Sequence, residues 1–117
     1  MSIINGTAAN NTLSGTSTED VIDGLAGDDS LYGNGGDDAL TGGLGNDYLS
    51  GGEGADSYFF NLGDGQDTVY TYQTTIVNDK IVFGAGITAD NLRFSREVND
   101  IVITFNNSVN DSIRLKH

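Results

Sequence analysis

A nine-residue period runs through the first half of the chain and constrains the fold more than any other feature. From residue 6 the sequence divides into six units: GTAANNTLS, GTSTEDVID, GLAGDDSLY, GNGGDDALT, GGLGNDYLS and GGEGADSYF. Glycine opens every unit, an apolar or aromatic residue holds the eighth position, and the sixth is Asn11 and then always aspartate. A seventh, degenerate unit follows after a two-residue slip, with Gly63, Gly65, Asp67 and Val69 in the same order. Such a fixed period indicates stacked repeats.

Each unit reads as a tight turn followed by a very short strand. Glycine takes positive φ without steric cost, so the first six residues can turn sharply. The last three alternate, with only the middle side chain facing inward. Two units make one coil, which aligns Leu13, Leu31 and Leu49 on one wall and Ile22, Leu40 and Tyr58 on the other. The period therefore predicts an all-β fold, a right-handed parallel β-roll (a β-solenoid).

Composition indicates that such a roll needs a further source of stability, such as a disulfide or a bound metal. The chain has 117 residues, a formal charge of −12, and no cysteine or proline. A core this small is marginal alone, and without disulfides a metal is the remaining candidate. The negative charge argues against nucleic acid and anionic membranes as partners.

The distribution of charge divides the chain into two parts. All five basic residues lie from position 80 onward, whereas 13 of the 17 acidic residues lie before it. We therefore predict a β-roll over residues 1–79 and a C-terminal capping segment over 80–117. No segment is long and apolar enough to span a membrane, and residues 1–20 lack the pattern of a signal peptide. We expect the chain to be a module of a longer protein.

The aspartates of the sixth position indicate what the turns bind. Stacking places Asp20 over Asp38, Asp38 over Asp56, and Asp29 over Asp47. Two carboxylates about 5 Å apart repel by roughly 3 kcal/mol at an effective dielectric constant of about 20. A cation between them removes this repulsion. Carboxylate and carbonyl oxygens in flexible turns favour calcium over zinc, copper or magnesium.

These units resemble the nonapeptide G-G-x-G-x-D-x-U-x of the RTX (repeats-in-toxin, haemolysin-type) calcium-binding proteins. GGLGNDYLS and GGEGADSYF fit every defined position. The stretches 54–60, 63–69 and 79–87 look like the end of such an array, so the resemblance covers nearly the whole chain. It implies a roll that binds several calcium ions and belongs to a secreted bacterial protein, commonly exported by a type I route.

The resemblance also implies the calcium ligands. In that family an ion lies between two same-side turns: one supplies the carbonyls of positions one and three with its aspartate, the other those of positions two and four with its aspartate. The implied sets are Gly24, Ala26 and Asp29 with Gly43, Gly45 and Asp47; Gly33, Gly35 and Asp38 with Gly52, Gly54 and Asp56; and Gly15, Ser17 and Asp20 with Asn34, Gly36 and Asp38. A further set, Gly42, Leu44 and Asp47 with Asp67, crosses the slip.

The C-terminal part reads as a small antiparallel β cap with little or no helix. Apolar residues alternate over 91–105, at Leu92 and Phe94 and again at Ile101, Ile103 and Phe105, with Val98-Asn99-Asp100 as the turn between two strands. Ser112 to Lys116 predicts a further strand with Ile113 and Leu115 inward. The end of a solenoid needs such a cover.

The predicted function is calcium-dependent folding that stabilises a larger secreted protein. Recurring carboxylates are too uniform for an active site, and no serine or cysteine has a usable base, so we do not expect an enzyme. A carbohydrate- or surface-binding module of a secreted polysaccharide-modifying enzyme or adhesin stays open as the alternative. Extracellular polysaccharide would then be a partner, stacked on Tyr32, Tyr48, Tyr70 and Tyr72.

Overall fold

A computed structural model of the chain describes residues 1–70, 79–97, 100–106 and 108–116. These contain one 3₁₀ turn, Ala89–Asn91, and otherwise only strands as regular elements. The strands are β1 (Ser2–Asn5), β2 (Thr12–Ser14), β3 (Asp20–Asp23), β4 (Ser30–Tyr32), β5 (Ala39–Thr41), β6 (Tyr48–Ser50), β7 (Ser57–Phe60), β8 (Gln66–Tyr70), β9 (Lys80–Phe83), β10 (Leu92–Glu97), β11 (Asp100–Phe105) and β12 (Ser108–Lys116). The prediction of an all-β chain is confirmed.

Successive strands alternate between two parallel sheets, as a nine-residue half-coil requires. The first sheet has the order β1-β3-β5-β7-β9, and the second contains β8-β6-β4-β2. Leu31 is in register with Leu13 and Leu49, and Leu40 with Ile22 and Tyr58. Both predicted walls, and with them the β-roll, are confirmed.

A single column of side chains from each sheet forms the core. Ile22, Leu31, Leu40 and Leu49 are completely inaccessible to solvent. Each such side chain gains about 1.5–3 kcal/mol from burial. Because a three-residue strand has only one inward position, every unit contributes one core residue, and the turns carry the rest of the interactions.

The two-residue slip is absorbed without loss of register. Strand β7 is one residue longer than β5 and ends at Phe60, and Asn61 opens the turn that follows. Leu49 remains opposite Val69. The seventh unit therefore joins the second sheet as a full member.

The C-terminal strands extend the second sheet of the roll. Strand β12 pairs in parallel with β8, from Ser112 opposite Gln66 to Lys116 opposite Tyr70. Strands β11 and β10 then follow in antiparallel pairing. The antiparallel cap is thus present, but β12 begins four residues earlier than predicted, at Ser108, and Asp100 opens β11 rather than lying in a turn. Val98 and Asn99 lie outside the described residues.

Strand β9 continues the first sheet beyond the predicted boundary of the roll. Lys80 pairs with Ser57 and Phe83 with Phe60, in parallel. Both sheets therefore cross the division at residues 79 and 80, which stays a prediction as a domain boundary. Ile103, Phe105 and Ile113 join the buried cluster.

Phe94 does not enter the core that its alternation suggested. Strand β10 forms the edge of the second sheet, furthest from the roll. As a result, 67% of Phe94 is exposed, although the neighbouring position on β11, Ile103, is buried.

Substitution of Leu40 by alanine should destabilise the calcium-loaded protein by about 2–5 kcal/mol, because it removes a fully buried side chain and leaves a cavity. The control is Ile3→Ala, at a side chain that is 68% exposed and lies outside the ligand sets. Urea unfolding at saturating calcium measures both. Equal effects of the two substitutions would contradict the two-wall core.

Candidate metal centre

The turns that connect the two sheets form two rows, one along each long edge of the roll. The side chains at position six of each turn follow these rows. We call Asp20, Asp38, Asp56 and Asp79 the first row, and Asn11, Asp29, Asp47 and Asp67 the second row. Asp79 was not predicted as a member, because the repeat pattern is lost before it.

Within each row, every carboxylate binds the backbone of the turn before it. The Asp38 Oδ1 atom accepts the Asp20 N–H at 2.8 Å, and the Asp56 Oδ1 atom accepts the Asp38 N–H at 2.9 Å. The same bond joins the Asp56 N–H to Asp79 Oδ1 at 2.8 Å. These bonds confirm the stacking of the aspartates and fix one oxygen of each.

The second row repeats this ladder across the slip. Asp29 Oδ1 accepts the Asn11 N–H at 2.7 Å, and Asp47 Oδ1 accepts the Asp29 N–H at 2.8 Å. Although the spacing grows from 18 to 20 residues, the Asp47 N–H still donates to Asp67 Oδ1 at 2.9 Å. Asp67 is therefore placed like the other members.

The second oxygen of four of these carboxylates has nothing to bind among the described residues. The Oδ2 atoms of Asp29, Asp38, Asp47 and Asp56 are buried and accept no hydrogen bond there. Each of these residues is at most 3% exposed. An unsatisfied buried acceptor costs about 1–3 kcal/mol, and more when it is charged. A cation bound beside these four atoms would supply the partner that the described residues do not.

The pKa values of the row aspartates also reflect this burial without a compensating positive charge. Burial, partly offset by the hydrogen bond from the preceding turn, raises the pKa of Asp38 and of Asp47 to about 6. It raises the pKa of Asp56 to about 7 and that of Asp67 to about 8. Neighbouring carboxylates add to each shift. Without a cation these groups are therefore driven towards the protonated form.

The turns approach one another so closely that glycine is required at some positions. A Cβ atom on Gly43 would collide with the Leu25 carbonyl oxygen, and one on Gly45 with the Gly27 carbonyl oxygen. Both glycines also have positive φ, 86° and 109°. Leu25 and Asn34 adopt φ of 72° and 74° at the equivalent of position two. Both residues thus adopt the left-handed conformation that Gly43 and Gly52 adopt in the following same-side turns.

All the predicted ligand residues lie in these two rows of turns. A Cβ atom on Gly24 would meet the Asp29 carboxylate and the Gly42 carbonyl oxygen. One on Gly33 would likewise meet the Asp38 carboxylate and the Gly51 carbonyl oxygen. The position-two carbonyls of Leu25 and Asn34 face the following same-side turn, where they accept the N–H groups of Leu44 and Glu53. Which carbonyls serve which ion stays a prediction.

The first two turns are closed by threonine side chains. Asp20 Oδ2 accepts both the N–H (2.6 Å) and the hydroxyl (3.0 Å) of Thr16. Chiefly through that backbone bond, the pKa of Asp20 is lowered. In the first turn the Asn11 side-chain oxygen accepts the Thr7 N–H at 2.7 Å. The residues at position six are therefore satisfied locally in these turns, unlike in the turns that follow.

Sequence reasoning missed a second ladder, at position five. Asp28 Oδ1 accepts the Asn46 N–H at 2.8 Å, and Asp37 Oδ1 accepts the Ala55 N–H at 2.9 Å. The Asn46 side chain continues the ladder to Gln66. The acidic or amide residues that recur at position five, in every unit except the one with Ala55, could have signalled it. These side chains hold the outer rim of the turns.

The donor set fits calcium. Paired carboxylates and glycine-turn carbonyls are hard oxygen ligands, and stacked flexible turns suit the high and variable coordination number of Ca²⁺. Soft metals need thiol or imidazole groups, and the chain has no cysteine and one histidine, at its last position.

Comparison with known families agrees with this chemistry. The profile described as "RTX calcium-binding nonapeptide repeat (4 copies)" matches residues 5–40 and 32–69, more than half of the chain. The chain belongs to the RTX calcium-binding repeat family. It is a calcium-binding β-roll module, as the resemblance implied.

Individual relatives extend the comparison. The iron-regulated protein FrpA of Neisseria meningitidis serogroup C is 52% identical over 48 residues, which are 40% of this chain and 4% of FrpA. The solution structure of the AlgE6R2 subunit of the mannuronan C5-epimerase of Azotobacter vinelandii gives a TM-score of 0.76 at 30% identity, over 97% of this chain and 83% of that one. The AlgE6R3 subunit gives 0.68 at 28% identity, over 95% and 72%.

The described part of the chain contains no helix long and apolar enough to cross a membrane.

Metal-free protein should lose stability as pH rises from about 5 to 8. The pKa values of Asp38, Asp47, Asp56 and Asp67 in the folded state lie above the usual value near 3.9. A raised folded-state pKa gives stability that is present below the unfolded-state pKa and lost as pH rises through 6 to 8.

The β content of the protein in chelator, followed by far-UV circular dichroism from pH 5 to 8, measures this trend: it should be highest near pH 5 and fall to that of a disordered chain at neutral pH and above. Calcium binding should show the opposite trend and strengthen towards pH 8, since binding releases the protons. Metal-free stability that increases over this pH range would show that the row carboxylates are not strained by burial.

Proposed function

We propose that this chain is a folding module: it is disordered without calcium, stacks into the β-roll on binding several Ca²⁺ ions, and thereby stabilises a larger secreted bacterial protein. The observation that carries the proposal is the set of four buried, unpaired Oδ2 atoms on Asp29, Asp38, Asp47 and Asp56. Stacking of the turns buries these atoms and removes their water. Calcium therefore stabilises the stacked state, whereas the extended chain offers it no preformed site.

Linkage gives the size of the effect. A site whose free calcium is a hundredfold above its dissociation constant stabilises the folded state by about 2.7 kcal/mol. Four such sites contribute roughly 11 kcal/mol, comparable to the whole stability of a small domain. We assign the four calcium ions to the four ligand sets given above, of which the last, at the Asp47–Asp67 pair, spans the slip.

Calcium-dependent folding suits a protein that is exported unfolded. Extracellular calcium modules bind in the range of about 10⁻⁴ to 10⁻³ M, so the roll would stay open inside a cell and close outside it. We propose an extracellular location, reached by type I secretion of the parent protein. The module itself catalyses no reaction in this account.

Calcium titration monitored by far-UV circular dichroism tests the folding proposal. We expect a cooperative coil-to-β transition with calcium, no transition with the same concentration of magnesium, and reversal by EGTA. A chain that is fully β-folded in EGTA and indifferent to calcium would refute the proposal.

A matched pair of substitutions separates ligation from charge. Asp38→Asn removes a carboxylate whose free oxygen lies inside the first row and which belongs to two of the proposed ligand sets. Asp37→Asn makes the same charge change at the neighbouring residue and retains its side-chain acceptor for the Ala55 N–H.

We expect Asp38→Asn to raise the calcium midpoint at least tenfold and to reduce the number of bound ions, and Asp37→Asn to shift it only slightly. Isothermal titration calorimetry measures both quantities. Equal shifts for the two variants would indicate a general effect of charge in place of ligation.

A second candidate function is binding of polysaccharide, which two observations favour. Tyr32, Tyr48 and Tyr70 form a continuous aromatic row on the outer face of the second sheet, with ring centroids 6.0 and 6.5 Å apart. Both AlgE6 subunits with this fold come from a mannuronan C5-epimerase. Tyr72, the fourth predicted sugar-stacking residue, lies outside the described part of the chain.

Binding of mannuronan to the calcium-loaded protein, followed by calorimetry, tests this candidate. Tyr48→Ala interrupts the aromatic row at its centre and should weaken binding about tenfold, since one stacking contact is lost. Ser57→Ala, on the opposite sheet, serves as the control. No measurable binding by the wild type, or equal binding by both variants, would leave the row with a purely structural role.

A further inference from the structure

The last turn of the second row is closed by a side chain from the C-terminal strand. Asp111, on β12, accepts the Gly63 N–H through Oδ2 at 2.8 Å and the Gly65 N–H through Oδ1 at 2.9 Å. The Ser108 hydroxyl donates to the same Oδ2 at 2.6 Å. One carboxylate therefore holds two amides of a turn that lies more than 45 residues away in sequence.

These two glycines occupy the places of the calcium-turn glycines in the repeat. Counting back from Asp67 at position six, Gly63 and Gly65 are positions two and four. Both have positive φ, 93° and 97°, as Gly43 and Gly45 do in the preceding unit on the same side of the roll. The Gly63 and Gly65 N–H groups converge on one carboxylate, so this turn binds an anion that is a side chain of the protein itself. The Asp64 N–H between them donates to the Asn61 carbonyl oxygen.

The surroundings of Asp111 favour its ionised form. It is only 7% exposed, and burial alone would raise its pKa. The hydrogen bonds from Ser108, Gly63 and Gly65 outweigh that effect, and the pKa of Asp111 is lowered. It is therefore a stable buried anion, and the bonds it accepts are charge-assisted, the stronger class of hydrogen bond.

The contact lies beside the last pair of the second row. The Ser112 N–H donates to the Gly65 carbonyl oxygen at 3.0 Å, two residues before Asp67. In earlier turns, backbone N–H groups of the next same-side repeat donate to the turn carbonyls. The last turn of the second row has no such repeat after it, and β12 provides the N–H group instead.

We propose that Asp111 is a positioning residue for calcium: it fixes the Gly63–Gly65 backbone in ion-binding geometry and so couples docking of β12 to calcium binding at the Asp47–Asp67 pair. This inference rests on the proposed function, since it requires calcium at that pair. The role follows from geometry, because Asp111 binds the Gly63 and Gly65 amides and neither carbonyl. The Gly65 carbonyl oxygen, which accepts the Ser112 N–H, keeps a second lone pair.

The consequence is that the cap makes the last site stronger. A turn already held in the binding conformation pays less conformational entropy when the ion arrives. Calcium at that pair in turn favours docking of β12, since the coupling is reciprocal. The full chain should therefore fold in one cooperative step.

The test compares Asp111→Asn with Asp90→Asn in the full chain. Asparagine keeps the shape of Asp111 but can accept only one of the two glycine amides. Asp90→Asn makes the same charge change at an exposed residue before β10. We expect Asp111→Asn to raise the calcium midpoint about tenfold and to bind one ion fewer at saturation, by calorimetry and native mass spectrometry. Asp90→Asn should match the wild type.

Ser108→Ala keeps both glycine contacts and removes one hydrogen bond to Asp111, so it should shift the midpoint in the same direction by a smaller factor. If Asp111→Asn fails to fold at any calcium concentration, this smaller shift carries the test, and an unchanged Ser108→Ala midpoint would overturn the inference.

A merely structural role predicts a lower urea midpoint with an unchanged ion count, and that result for Asp111→Asn would also overturn the inference. A wild-type chain that does not respond to calcium would instead refute the proposed function, so the two failures are distinguishable.

Discussion

Four buried aspartates of the two rows each give one oxygen to a backbone amide of the preceding same-side turn, and their other oxygen is buried without a partner among the described residues; they are Asp29, Asp38, Asp47 and Asp56. The hydrogen bond sets the distance between coils, and the unpaired oxygen creates a demand for positive charge at that distance. A core with one inward residue per strand cannot by itself offset the cost of burying these carboxylates. The fold therefore depends on the balance between carboxylate burial and a cation, and hydrophobic packing keeps the sheets in register once that balance is met.

At the two ends of the roll, the polar groups of the turns find hydrogen-bond partners in different ways. At the start, Thr16 and Thr7 satisfy the position-six side chains of their own turns. At the other end, Asp111 from β12 occupies the amides of the last turn of the second row. Only the turns from Asp29 to Asp56 keep unpaired oxygens among the described residues. The unpaired oxygens therefore lie in the middle turns, while hydrogen bonds of Thr7, Thr16 and Asp111 hold the turns at the two ends in place.

Periodicity predicted the features that repeat, because a repeated register turns a local pattern into long-range contacts. Leu31 opposite Leu49, and Asp38 over Asp20, follow directly from a spacing of 18 residues. The features that do not repeat could not be found in this way. Asp79 belongs to the first row and Asp111 to the last turn through contacts between distant segments with no shared period. The parallel pairing of β12 with β8 likewise depends on the end of the roll, which offers β12 an open parallel edge.

The central claim is that calcium occupies the space beside the unpaired Oδ2 atoms, and crystallography of the protein grown in calcium tests it most directly. The account predicts anomalous difference peaks about 2.3–2.6 Å from the Oδ2 atoms of Asp29, Asp38, Asp47 and Asp56, in both rows. Ordered rows in which these oxygens contact only water or a protonated neighbour, with no ion at saturating calcium, would contradict it.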